Sequence, residues 1–531
     1  MITKNEMLGV CLSYFLPEFS KQIMKTKSSK MQFFYILLYI CTTLFVLVFV
    51  LPLLGIMYLV RVLVSMTIRY CYKDIKLMSP LDATSSVNVD GRSFSFSFGC
   101  LVSTQNAIPM LEKLRVRIGT HVNSDGPYKK LRYRLCTRLG YPCWEDTGVD
   151  GEIDIGNHVK LCPGVEDERK TFSEKEMMKL FRDNINSQRN IVAQQPDWGI
   201  FLIPKVQIKS EKFSSQTPPH AAIFIQFNHG YMDGNSAVHF IKTCVFDEEE
   251  DITTVEVMRK PQDTKSLRHR LIRYFRVVFD SPFSFAKVVI RNKHSIFHVT
   301  SPSSEATFVG CSISKIQSSS MNKVRAAFNC GTRSVVSFAF LKAVMRVADR
   351  KGFSPPKFVN YACTHSIVPY SHLKPQNGFA FLIRTIPTSG SDQLVEIDKL
   401  LQVNEDNEYE LDAGLMAFYF MGLMPSRILS LFKEQLAVFP CGATLVPASG
   451  RMYKIESSCV NYIFCCPPAI PGTNYTCAFN YYEGKFNVTF HLRRTPLVET
   501  QFEFQDFIAE FEQCFNDLVM EADKLHNHTG K

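Results

Sequence analysis

None of the 17 cysteines in this 531-residue chain stands at the spacing of a zinc pair or a disulfide framework, and Cys465 and Cys466, being adjacent, suit neither. That argues against a cysteine-based metal centre and for reduced thiols facing the cytosol. Three glycosylation triplets, at Asn474, Asn487 and Asn527, point mildly the other way, but the first two fall in predicted strands. There is no GxSxG nucleophile elbow and no Gly-rich phosphate loop, so no covalent acyl-enzyme and no metal or cofactor is expected. No basic stripe is clustered as nucleic acid would require. The net charge of +10 is modest and fits a solvated surface, an anionic membrane or a phosphate-bearing ligand such as coenzyme A.

Charge is missing altogether from Phe33 to Val60. As one helix this run extends ~42 Å, against a bilayer hydrocarbon core of ~30 Å. It is too long, and too far from the N-terminus, for a cleaved signal peptide. Residues 1–76 are therefore expected to form a tail and a membrane anchor. Lys21, Lys25, Lys27 and Lys30 precede the run while Arg61, Arg69, Lys73 and Lys76 follow it, so the basic flanks give no orientation. Two forms are expected. One is a hairpin reaching residue 68, broken at Pro52 and Gly55 with Arg61 snorkelling, which returns both flanks to the cytosol. The other is a single tilted span.

The remainder, with 46% hydrophobic and 21% charged residues in the chain as a whole, is long enough for a substantial core. An edge strand is predicted at Phe94 to Cys100 and a helix over Asn106 to Arg117. Ser173 with Glu176 forms a capping box ahead of the apolar stripe Met177, Leu180, Phe181 and Ile185. The acidic run Asp247 to Asp251 and the basic stretch Lys265 to Arg276 read as exposed faces. Ser-rich stretches at Ser301 to Ser304 and Ser318 to Ser320 mark a crossover, giving an N-terminal lobe over 77–300 and a C-terminal lobe over 301–531. The second lobe opens with an apolar helix, Ser334 to Ala348. It closes with strands Cys459 to Cys465, Thr473 to Tyr482 and Lys485 to His491, then an amphipathic helix through Phe507, Phe511 and Phe515.

The chemistry-bearing stretch is Phe224 to Gly234, Phe-Ile-Gln-Phe-Asn-His-Gly-Tyr-Met-Asp-Gly. From His220 to Phe227 both faces are apolar, as in a strand buried on both sides. His229 follows at the strand's end, where a rigid sheet presents functional groups, and Gly234 suits a sharp turn. Three residues separate His229 from Asp233. This is HxxxDG, not the NHxxxxD of glycerol-phosphate acyltransferases.

The HxxxDG form resembles the superfamily of chloramphenicol acetyltransferase, plant HxxxD acyltransferases, peptide-synthetase condensation domains and wax ester synthases. Further landmarks follow in the order of the wax ester synthase/diacylglycerol acyltransferase family: Tyr141 to Trp144, Ile153 to Val159 with His158, Gln195 to Trp198, and His229 to Gly234. His365 to Pro369 and Asn377-Gly378 resemble later ones. Two positions depart from the pattern. Asn228 stands where the family has the first His of HHxxxDG, and Arg333-Ser334 stand where it has an Asn-Asp pair.

The resemblance implies an α/β fold of two chloramphenicol-acetyltransferase-like lobes with mixed sheets and a tunnel between them, added to the N-terminal anchor. It implies that His229 is the general base and that Asp233 supports the loop, paired with an arginine. It implies acyl-CoA as substrate, its phosphates met by basic residues among which Lys323, Arg325 and Arg333 are candidates. Three functions are expected: an O-acyltransferase at the endoplasmic reticulum membrane, acting on a long-chain alcohol or diacylglycerol; a catalytically silent lipid-binding protein; or a transferase with a sterol or amine acceptor.

Overall fold

The uncharged run folds as one helix, α1 (Gln32–Cys71), the one helix among the described residues long and apolar enough to cross a membrane. The computed structural model describes residues 29–529 apart from 87–94, 149–151, 187–194, 209–219, 248–266, 283–306, 367–374, 391–392, 404–407, 436–439, 447–450 and 468–472. The Ser301 to Ser304 crossover, most of the acidic run and Ile367 to Pro369 lie outside these residues. At ~1.5 Å per residue α1 is about 60 Å long, twice the hydrocarbon thickness. Its apolar side chains point outward, with Phe33, Phe49, Leu59 and Leu63 all exposed.

The hairpin does not form. A wide π turn over Val46–Val50, in which the Leu51 amide donates to the Val46 carbonyl, takes up Pro52 without breaking the helix. Nor does Arg61 snorkel, being buried at 6% exposure. Its guanidinium donates to the carbonyls of Gly422 at 2.6 Å and Met78 at 2.5 Å. One turn on, Val64 and Ile68 pack on Ile75 and Cys143. The C-terminal third of α1 is thus a docked part of the body.

β1 (Ile75–Leu77) leads into the short helix α2 (Pro80–Ser86), then β2 (Ser95–Ser103) and α3 (Ala107–Asn123). β3 (Tyr133–Arg138) and β4 (Tyr141–Asp146) form a three-stranded sheet with β1. At α4 (Glu174–Asn186) the capping box closes in both directions. The Ser173 amide donates to Glu176 Oε2 at 2.8 Å and the Glu176 amide to Ser173 Oγ at 3.3 Å.

β5 (Trp198–Gln207) and β6 (His220–Asn228) pair antiparallel, and α5 (Gly234–Phe240) continues into a π turn at Ile241–Val245. The second half contributes β7 (Thr307–Gln317), α6 (Thr332–Arg350), β8 (Phe358–Ser366), β9 (Phe379–Pro387), α7 (Glu408–Met421), β10 (Cys441–Leu445), β11 (Ser458–Cys466), β12 (Tyr475–Tyr482), β13 (Lys485–Arg493) and α8 (Gln501–Thr529).

Two large mixed sheets result. The C-terminal sheet runs β9-β8-β10-β12-β13-β7 and packs on the buried face of α6 and on α8. The N-terminal sheet runs from Lys454–Ile455 through β11, β2, β6 and β5 to Val159–Leu161. Predicted as an edge, β2 is instead central. β11, from the second half of the chain, pairs along it from Val460↔Val102 to Cys466↔Ser97 and covers its open backbone groups. The boundary at 300 is therefore crossed, because residues 454–466 complete the first lobe. Asn474 and Asn487 are buried in or beside strands, which removes them as glycosylation sites in the folded protein.

One unbroken helix, if it crosses a membrane, carries its two ends to opposite faces. Of two glycosylation tags placed before Lys30 and after Lys76, only one is modified in a membrane-insertion assay, whereas a hairpin leaves both bare.

Candidate active site

All nine residues of β6 are buried, so the strand ends as a fixed platform for the turn that follows. Asn228 shapes that turn. Its amide nitrogen donates to Asp197 Oδ2 at 2.9 Å and to the Ser86 carbonyl of α2 at 3.3 Å, while its oxygen accepts from the Gly230 amide at 2.8 Å. A side chain at Gly230 would bring a Cβ within 2.6 Å of Ser86 Cβ, so only glycine fits. Below, Tyr231 is fully buried. Its hydroxyl accepts from the Asp197 amide at 3.0 Å and donates to the Tyr133 carbonyl, and its ring lies 4.7 Å from that of Trp144. Lys130 caps the turn by donating to the carbonyls of Gly230 at 3.0 Å and Tyr231 at 2.8 Å.

The landmarks scattered through the sequence thus meet beneath one loop. Trp198 is buried, donates from its indole to the Leu131 carbonyl at 2.7 Å, and stacks at 4.5 Å on His158. His158 bonds the Trp198 carbonyl through Nδ1, and burial pushes its imidazole down to about 4, so it stays neutral and structural.

Asp233 caps α5, accepting from the Ser236 amide at 3.0 Å. Its other oxygen accepts from the Gly378 amide at 2.9 Å, and its own amide donates to the Gln376 carbonyl at 3.1 Å. The two lobes are therefore stitched together at this carboxylate, through backbone amides. Burial raises its carboxyl to about 6 despite those donors.

His229 is 8% exposed, with Phe96 and Phe379 at ring distances of 4.9 and 5.0 Å. Its Nδ1 lies 3.1 Å from Asn377 Oδ1, across the seam. A carbonyl oxygen can only accept, so this contact calls for a ring proton on Nδ1, the tautomer that in a neutral imidazole makes Nε2 the basic nitrogen. Asn377 was legible only as half of an Asn-Gly landmark, and the residues behind it carried no sequence signal.

The predicted phosphate ligands separate in space. Lys323 pairs with Asp523 at 2.5 Å, and Arg325 bonds Asn322 at 3.3 Å. Arg333 alone reaches toward the site, lying 2.7 Å from His365 Nε2 at the end of β8, where Ser366 meets Asn235 of α5. At the start of α6, Ser334 Oγ and the Gly331 amide both donate to Asp398, at 2.6 and 2.8 Å, so the carboxylate there comes from farther along the chain.

A small cavity of about 30 Å³ lies where the lobes meet, between β2, β6 and α5 on one side and Val446, Tyr453 and Asn480 on the other. Phe98 in its wall touches Phe96, the ring beside His229, at 5.8 Å. His229 itself is not among the described residues lining it.

Asp233→Asn leaves one of the two amides without an acceptor, at a cost of about 1–3 kcal/mol, so thermal midpoint and soluble yield fall together with any activity. Because the folded carboxyl at about 6 lies above its usual 3.8, the folded state holds the proton more tightly than the unfolded chain. Stability from this group thus declines as pH rises from about 4 to about 6. Melting curves of Asp233→Asn lack that component.

No family model matches the chain, and neither does any curated protein. Solved structures do. A wax ester synthase/diacylglycerol acyltransferase from Marinobacter aquaeolei VT8 is similar over 84% of this chain and 100% of its own, at 12% identity and a TM-score of 0.51. The TRI3 trichothecene 15-O-acetyltransferase from Fusarium sporotrichioides is similar over 83% of this chain and 95% of its own, at 9% identity and a TM-score of 0.53. Both align across the two lobes rather than one. With the HxxxDG stretch at the seam, the chain has the two-lobed α/β fold of the chloramphenicol-acetyltransferase-like acyltransferases.

Proposed function

We propose that this protein is a membrane-anchored O-acyltransferase. It moves a fatty acyl group from acyl-CoA to a hydrophobic alcohol, either a long-chain alcohol giving wax ester or diacylglycerol giving triacylglycerol. The observation that carries this reading is the orientation of His229, which offers Nε2 as a base at the junction of two lobes.

A neutral alcohol is a poor nucleophile and its alkoxide is scarce near neutral pH. Nε2 takes the hydroxyl proton as the oxygen attacks the thioester carbonyl, a contribution of about 10²–10⁴-fold in rate. The tetrahedral adduct then expels the coenzyme thiolate, which recovers that proton from the imidazolium. Asp233 acts on the loop and not on the substrate, since its oxygens are turned to the Ser236 and Gly378 amides. No metal is required by this scheme.

The small cavity between the lobes suits the tip of an apolar acyl group. Its lining is almost wholly apolar, as contact with a fatty chain requires. Asn480 Oδ1, in that wall, is buried and has no hydrogen-bond partner among the described residues, an acceptor for a hydroxyl or amide of a bound molecule. Arg333 is the residue best placed for a coenzyme phosphate. The anchor favours the endoplasmic reticulum, with the body on the cytosolic side, where both substrates are supplied.

A catalytically silent lipid-binding protein is the second reading, favoured by Asn228 in the first motif position and by a cavity whose described lining does not include His229. Membranes incubated with labelled acyl-CoA and a panel of alcohols, sterols and amines separate the two. The enzyme forms ester with a long-chain alcohol or diacylglycerol, and His229→Ala abolishes it without changing the thermal midpoint. The silent protein forms no product with any acceptor, and ester formation that survives His229→Ala removes the base assignment. Phe98→Trp, which fills part of the cavity, shifts acyl preference to shorter chains in the same assay.

A further inference from the structure

Behind Asn377 stands a carboxylate that belongs to neither the HxxxDG stretch nor any landmark. Asn377 Nδ2 donates to Asp82 Oδ1 at 2.9 Å, and Asp82 Oδ2 pairs with Lys130 Nζ at 3.0 Å. We infer that Asp82, on α2, is a positioning residue for His229, acting through Asn377, and that the docked end of the anchor helix holds it in place. The inference rests on the acyltransferase reading and assigns the origin of the base's tautomer.

An asparagine amide can turn either way, and each orientation imposes a different tautomer on a histidine beside it. If the oxygen faces Nδ1, the ring proton sits there and Nε2 is a base. If the NH₂ group faces Nδ1, that nitrogen must accept, the ring proton moves to Nε2, and the base is lost. Asp82 removes the choice, because a carboxylate can only accept. The Gly230 carbonyl, 3.4 Å from Asn377 Nδ2, acts in the same direction. Lys130 offsets the charge of Asp82, whose side chain is 13% exposed. The Phe96 and Phe379 rings also lie against the imidazole, and Asp82 and Lys130 are the charged groups behind Asn377 among the described residues.

The position of Asp82 is fixed from the membrane side. α2 starts two residues after Met78, whose carbonyl takes Arg61 of α1. Gly422, which takes the other arm of that guanidinium, lies so close that a Cβ there would come within 1.8 Å of the Pro80 carbonyl oxygen. Thr84 Oγ1 ties the middle of α2 to the Phe418 carbonyl at 2.7 Å, and the Ser86 carbonyl at its end accepts from Asn228. The stretch from Met78 to Ser86 therefore touches α1 at one end and the HxxxDG turn at the other.

The test uses the full-length protein in detergent with saturating acyl-CoA and alcohol. Wild type and His229→Ala come first, and absence of ester from wild type defeats the acyltransferase reading itself. Given wild-type turnover, Asp82→Asn lowers kcat about 100-fold or more while leaving both KM values within about twofold. Asp82→Glu recovers part of the loss. The acid limb of kcat/KM in Asp82→Asn moves to lower pH, since losing the anion leaves the Lys130 cation to oppose the imidazolium.

The double variant Asp82→Asn, Asn377→Asp recovers kcat relative to either single change, because a carboxylate at 377 accepts from both the imidazole and the amide at position 82. The double variant also keeps the test valid should Asp82→Asn alone fold poorly. A kcat within about threefold of wild type in Asp82→Asn overturns the proposal. So does a loss of kcat that the double variant does not repair and that leaves the pH profile unmoved.

Discussion

The Gln376 to Gly378 segment of the second lobe is what the HxxxDG loop leans on. Its Gln376 carbonyl takes the Asp233 amide and the Ser236 hydroxyl, its Gly378 amide donates to the Asp233 carboxylate, and its Asn377 carbonyl faces His229. Neither lobe holds the histidine alone. The first supplies the strand and the turn, and the second supplies the groups that fix the ring and the capping carboxylate. A relative shift of the lobes by an ångström would break these bonds together, because each has a donor–acceptor distance near 3 Å and weakens steeply beyond it.

The long apolar helix α1 is coupled to this arrangement at its C-terminal end. A buried guanidinium satisfied by two main-chain carbonyls locks α1 to Met78, two residues before α2, and to Gly422, just past α7. Removing it would leave those carbonyls desolvated and unpaired, which is why the contact resists loss. Since α2 also carries Asp82 and the Ser86 carbonyl, the geometry of the proposed base and the attachment of the body to α1 depend on one helix seven residues long.

Asn228 shows how a departure from a familiar pattern can be absorbed. Its position faces the Asp197 carboxylate, the Ser86 carbonyl and the Gly230 amide, and a carboxamide has both the donors and the acceptor to meet all three. It holds the turn and does not point at the reacting groups. Arg333-Ser334 are similar, in that Asp398 supplies the carboxylate to the helix start and the arginine is turned toward His365. Both changes leave the loop built.

The sequence by itself determined the elements whose signals are local: the uncharged helix, the capping box at Ser173, the doubly buried strand ending at His229, and the identity of the candidate base. It misjudged what depends on distant partners. β2 looked like an edge because the strand that covers it lies more than 350 residues later, and Arg61 looked destined for the membrane surface because its carbonyl partners are set by the fold. Only the tertiary structure brought a hydrogen-bond acceptor to Nδ1 of His229. That follows from an asparagine 148 residues away and a carboxylate 295 residues from that asparagine. Hydrogen-bond donors and acceptors act at about 3 Å whatever their separation along the chain, and spacing in sequence carries no trace of such contacts.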